Sequence, residues 1–196
     1  MIATYHDERV LVVPGLHGSG PAHWQSRWEA LHPSFERVEQ DAWDEPDLLR
    51  WSARLQQRLQ ESDRPTLLIA HSFGCLTAVH ASLRYGTASP VVGALLVAPA
   101  DPHKFGVAQV LRDARLPFPA VVIGSTNDPW MHAARASYWA DAWACGFVNA
   151  GTLGHINADS SLGDWPQGWQ QFEQVRSMAR LLARPPVQQA QAGIFM

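Results

Sequence analysis

Short, unbroken apolar runs alternate along the chain with longer stretches in which apolar residues recur every three or four positions. The runs Val10–Val13, Thr66–Ala70, Val91–Ala98 and Ala120–Ile123 are rich in Val, Ile and Leu. That is the pattern of strands buried on both faces. Weaker strands are expected near Phe35–Val38 and at Gly146–Asn149. Between them, Trp24, Trp28 and Leu31 predict a helix opening at Gly20-Pro21, with proline at the first helical position. Leu48, Trp51, Leu55 and Leu59 predict a second, and further helices are expected through Cys75 to Leu83 and over Ala133–Ala144. The last carries Trp169, Phe172, Val175, Ala179 and Leu182 on one face and stops at Arg184-Pro185-Pro186. Alternation of this kind predicts an α/β fold: about six mostly parallel strands, helices on both faces and right-handed crossovers. No repeat or second unit is visible, so residues 1–186 read as one domain and 187–196 as a Gln/Ala-rich tail.

Composition narrows the function classes. The 196 residues are 46% hydrophobic and 17% charged, enough to bury an ordinary core. The formal net charge is -3 and Lys104 is the sole lysine, so phosphate neutralisation, and with it nucleic-acid binding, has no support. Cys75 and Cys145 are the only cysteines, too few for a disulfide framework or a structural zinc site. Met1–Arg9 is polar and no apolar run reaches the ~18 residues of a membrane span. The expectation is a cytoplasmic protein that needs no membrane, metal or organic cofactor.

Candidate chemistry gathers at strand ends. Ala70-His71-Ser72-Phe73-Gly74 stands where a buried strand becomes a helix. A nucleophile elbow of the G-x-S-x-G type needs small residues two positions either side of the serine, and Ala70 and Gly74 meet that need. The Phe73 N–H at the helix start could stabilise an oxyanion. Ser72 would equally serve as a plain helix cap. Upstream, Pro14-Gly15-Leu16-His17-Gly18-Ser19-Gly20 follows the first strand, where a second oxyanion donor is expected; Leu16 N–H is the candidate. The loop lacks the lysine of a phosphate-binding loop and the spacing of a dinucleotide fingerprint. His17 is a candidate substrate contact.

Of nine histidines, His155 fits a catalytic base best. It lies in Gly151-Thr152-Leu153-Gly154-His155-Ile156-Asn157, after the last strand and before the C-terminal helix. His132, its rival, opens a helix; His71 adjoins Ser72 but suits a structural hydrogen bond. For the acid, Asp128 in Ser125-Thr126-Asn127-Asp128-Pro129-Trp130 follows the Val121–Gly124 run, with Asp101 as the alternative. Asp128 would accept the imidazole N–H and fix its tautomer, and a turn-forming role is compatible with that. Serine, acid and histidine thus come from the carboxyl ends of three strands, the edge at which open α/β sheets bind ligands. Most of the nine tryptophans fit core stripes. Trp43 and Trp130, on loops beyond strand ends, are the candidates for walls of an apolar acyl pocket.

With these motifs in place, the chain resembles the YdeN-like serine hydrolases, whose animal relative is named for binding the retinoblastoma protein. The resemblance rests on Val13-Pro14-Gly15, Gly18-Ser19-Gly20, His23-Trp24-Gln25, Trp28-Glu29, Gln40-Asp41-Ala42-Trp43, Pro46, the Ser72 elbow, Asn127-Asp128-Pro129 and Gly154-His155-Ile156-Asn157, in register over Val10–Leu182. It implies an α/β-hydrolase fold without a large lid, a triad of Ser72, Asp128 and His155, and esterase-like activity on small acyl esters. The family's Asp-Trp pair is here Asp41-Ala42-Trp43, with one residue inserted. The L-x-C-x-E segment tied to retinoblastoma binding is missing, so that partner is not carried over. Expected is a carboxylesterase; an amidase, peptidase or thioesterase would use the same triad, and a non-catalytic binding module would keep the scaffold alone.

Overall fold

The computed structural model describes residues 8–85 and 89–183. The expected tail, the Arg184-Pro185-Pro186 stop and Met1–Asp7 lie outside the described residues. Six strands form one parallel sheet: β1 (Arg9–Val13), β2 (Phe35–Arg37), β3 (Thr66–His71), β4 (Val91–Val97), β5 (Ala120–Gly124) and β6 (Gly146–Asn149), in the order β2-β1-β3-β4-β5-β6. Six α-helices connect them: α1 (Trp24–Leu31), α2 (Leu48–Gln60), α3 (Phe73–Tyr85), α4 (Ala108–Leu111), α5 (Ala133–Ala142) and α6 (Pro166–Ala183).

Strand side chains point alternately to the two faces, so each strand feeds two core layers. Leu11, Leu68, Leu96 and Val122 face α2, α3 and α5, where Leu55, Leu76, Trp139 and Trp143 complete one layer. Val10, Ile69, Leu95 and Val121 face α1 and α6, where Trp24, Trp28, Phe172 and Val175 complete the other. Both layers exclude water, which is why β1, β3 and β5 carry no polar side chain between their end residues. The register between β3 and β4 shifts after Thr66, where Val91 pairs with Thr66 and Gly93 with Leu67.

Several element ends and stripe positions depart from the sequence reading. First, α1 begins at Trp24, not Pro21. The His23 Nδ1 accepts the Gln25 N–H and is the cap, while Pro21 and Ala22 belong to a turn. Leu31 is then exposed rather than part of the stripe. Leu182 is also exposed. Finally, α5 stops at Ala142, and the short α4 carries no periodic signal long enough to read. No helix among the described residues is long and apolar enough to cross a membrane.

Candidate active site

The chain turns sharply between β3 and α3, and Ser72 is the turning residue. Its φ of 52° lies in the left-handed region, a conformation that costs a non-glycine residue about 1–3 kcal/mol and persists only when its surroundings enforce it. Two close approaches enforce it here. A Cβ on Gly74 would lie 2.2 Å from the Val13 carbonyl oxygen and 2.5 Å from that of Pro14. A Cβ on Gly15 would lie 2.7 Å from Ser72 Cβ. The end of β1 is thus wedged against the start of α3, with only hydrogen atoms between them. The hydroxyl of Ser72 is left at the carboxyl edge of the sheet.

His155 and Asp128 reach the same edge from loops after β6 and β5. Ser72 Oγ lies 2.9 Å from His155 Nε2, and His155 Nδ1 lies 2.8 Å from Asp128 Oδ2. Asp128 is buried; its Oδ1 accepts the N–H groups of Trp130 at 2.8 Å and Met131 at 3.3 Å. Facing a carboxylate, Nδ1 carries the imidazole proton, so Nε2 is the free acceptor for the serine hydroxyl.

The loops that carry the two groups are laced together. Thr126 N–H and Oγ1 both donate to the Gly151 carbonyl, at 2.8 and 2.9 Å. Ser125 Oγ accepts the Leu153 N–H at 2.9 Å, and Asn127 Oδ1 accepts the Gly154 N–H at 2.7 Å. Ser160 Oγ closes the far end on the Leu153 carbonyl at 2.6 Å. Hydroxyl and amide side chains so close to strand ends are a signal of such stitching, one that reading Asp128 and His155 alone passes over. A further clamp comes from His71, the last residue of β3: its Nε2–H donates to the His155 carbonyl at 3.0 Å.

Leu16 opens a 3-10 turn and Phe73 opens α3, so neither amide has an acceptor inside its own helix. Neither donates to a loop or turn carbonyl among the described residues. Gly15 packs on Ser72 and Phe73, and Leu16 lines the same cavity as Ser72. The 3-10 turn is held by two further contacts. His17 N–H donates to the Trp43 carbonyl at 2.9 Å, and Arg37 donates to the Gly18 carbonyl while pairing with Glu29.

A cavity of about 540 Å³ opens over Ser72, within the usual size range of small-molecule sites. His17 and Trp130 line it, together with Phe105, Lys104, Asn157 and Asp159. Trp43 does not line it. Its ring packs behind Gly18 and edge-on to Trp51, 5.6 Å between centroids, so it supports the Leu16 turn. The alternative acid and base have other partners. Asp101 is gripped by Arg135 at 2.6 and 3.1 Å and accepts the His103 N–H. His132 caps α5 and its Nδ1 meets the Thr126 carbonyl. Among the described residues no three His, Cys, Asp or Glu side chains cluster as metal ligands, and both cysteines are free.

Two buried histidines lie behind the site. Burial, with Arg37 and His155 adding to it, pushes His23 down to about 3. His71 is held well below the ordinary imidazole value, again first by burial and then by His23 and His155. A histidine buried neutral takes up its proton only on unfolding. Between the folded value and ~6.5 the unfolded chain therefore binds more protons, and stability rises with pH there. The contribution is whole above pH ~6.5 and declines as pH falls toward the folded value. Thermal unfolding should show stability lower at pH 5 than at pH 7.5 by about 2 kcal/mol from His23 alone, with His71 adding in the same direction. A midpoint that stays level or rises on acidification would contradict this.

A profile of the serine hydrolase family, described simply as Serine hydrolase, matches residues 10–174. The chain belongs to this serine hydrolase family. The hydrolase is 36% identical to a YdeN-like hydrolase of Pectobacterium atrosepticum, with 90% of this chain and 92% of that one covered and a TM-score of 0.82. The ydeN gene product of B. subtilis is 17% identical over 87% of this chain and 100% of its own, with a TM-score of 0.70. An esterase of Rhodococcus sp., RhEst1, is 12% identical over 90% and 92%, with a TM-score of 0.61, a likeness of fold alone. No protein of curated function matches. These likenesses make the hydrolase a YdeN-like member with an α/β-hydrolase fold and no large lid.

Proposed function

We propose that this hydrolase is a carboxylesterase for small acyl esters, working in the cytoplasm through an acyl-enzyme formed on Ser72. The observation that carries the reading is the unbroken order hydroxyl–imidazole–carboxylate, at 2.9 and 2.8 Å, over an open cavity. His155 Nε2 takes the Ser72 proton as Oγ attacks the ester carbonyl, and the carbonyl π pair moves onto oxygen. The Leu16 and Phe73 N–H groups hold that oxyanion. Asp128 stabilises the imidazolium, which then gives its proton to the departing alkoxide. A water, deprotonated by His155, attacks the acyl-enzyme; collapse releases the acid and returns the proton to Ser72. Every proton and electron pair is accounted for by these side chains, so the scheme calls for no metal or organic cofactor.

A fluorophosphonate probe followed by a panel of esters, thioesters and amides of graded chain length tests the proposal. Labelling should be lost in Ser72→Ala, and short acyl esters should give the highest kcat/KM. Preference for thioesters or amides would reassign the reaction to a neighbouring class, and an unlabelled wild type would leave a binding scaffold.

A further inference from the structure

Lys104 is the single lysine of the chain, and it stands in the wall of the Ser72 cavity. Its loop is a run of tight turns: Lys104 N–H donates to the Asp101 carbonyl and Val107 N–H to that of Pro102. Asp101 anchors that loop and is already neutralised by Arg135, whose contact keeps its carboxyl below the ordinary range although burial alone would raise it. The ammonium of Lys104 donates to the Trp130 carbonyl at 2.7 Å and makes no ion pair among the described residues. Two of its three donors are therefore free. Arg37, Arg54 and Arg135, by contrast, are each paired with a carboxylate.

Trp130 links this cation to the reacting groups. Its ring centroid lies 5.5 Å from Lys104 Nζ and 6.4 Å from the His155 ring centroid. Trp130 is 58% exposed, which leaves it accessible to a ligand. In the proposed scheme the leaving oxygen must sit against His155 to be protonated, so the leaving group extends along the His155 side of the cavity. That is the side of Trp130. A flat group there would stack on the indole, and an anionic substituent on it would meet the ammonium. Asp159, an exposed carboxylate in the turn after His155, also lines the cavity.

Resting on the esterase reading above, we propose that Trp130 and Lys104 form a leaving-group subsite for esters whose alcohol is a planar, anion-bearing group, such as a hydroxyaryl carboxylate. Trp130 thereby moves from the expected acyl pocket to the leaving-group side.

The test compares 4-acetoxybenzoate with the uncharged 4-acetoxybenzamide. The wild type should favour the carboxylate in kcat/KM by roughly 5- to 10-fold, mostly through KM. The ratio should fall to about one in Lys104→Met, invert in Lys104→Glu and survive in Lys104→Arg. A wild-type ratio near one, or a preference that persists in Lys104→Met, overturns the proposal. So does a carboxylate preference found only when the acid is on the acyl side, as in a succinate hemiester. Calorimetry on Ser72→Ala separates this proposal from the esterase reading. Binding of 4-hydroxybenzoate in preference to 4-hydroxybenzamide, lost on adding Lys104→Met, supports the subsite even if no ester is turned over. Equal binding of the two removes it even if esters are hydrolysed.

Discussion

Ser72→Ala should reduce kcat on a good ester substrate by about 10⁵–10⁶-fold while leaving the protein folded. The loss is large because the three side chains act as one relay: without the hydroxyl, the imidazole has nothing to deprotonate and no acyl-enzyme forms. His155→Ala should then cost nearly as much, and the double variant little more than either alone, since each removes the same pathway. What survives is the residual rate from the Leu16 and Phe73 donors and from binding. The fold should be unharmed, because Ser72 Oγ packs in no core layer and alanine removes a single atom. Steady-state kinetics, with circular dichroism as the check on folding, reads the result. A loss below about a hundredfold would mean that another group is the nucleophile.

The second large effect concerns Gly74. Adding one methyl there, Gly74→Ala, should lower stability by about 3 kcal/mol or more, at the upper end of overpacking penalties. The reason is the kind of atom that would be struck: backbone carbonyl oxygens of Val13 and Pro14, at 2.2 and 2.5 Å, cannot rotate aside as a side chain would. Relief requires β1 and α3 to separate, which would also pull Leu16 away from Ser72. For a chain of this length the melting temperature should fall by roughly 6–12 °C. Gly20→Ala is the control, since nothing lies within 4 Å of its added Cβ and stability should change by less than about 0.5 kcal/mol. A Gly74→Ala protein as stable as the Gly20→Ala control would show that the wedge is soft.

Much of the fold is legible in the sequence. Val10–Val13 and Ala120–Ile123 announce buried parallel strands because a sheet covered on both faces leaves no polar positions in its centre. Such a sheet sends every following loop to one edge, so the neighbourhood of Ser72, Asp128 and His155 followed from strand order alone. What stayed hidden depends on contacts between distant loops. Trp43 and Trp130 both sit beyond strand ends, yet only the packing of Gly18 decides that one is a buttress and the other a cavity wall. Lys104 read merely as the exception in a lysine-poor chain, because nothing local says that its ammonium meets the Trp130 carbonyl. The α1 boundary moved for a similar reason: proline at position 21 is compatible with a first helical turn, but His23 takes the capping bond.

The lacing of the 125–127 segment to 151–154 has an evolutionary corollary. Surface loops ordinarily absorb insertions at little thermodynamic expense. Here a residue added to either loop would throw the paired donors and acceptors of both out of step, and the carboxylate and imidazole would part company. Length changes in descendants of this chain should therefore accumulate elsewhere, for instance between β2 and α2.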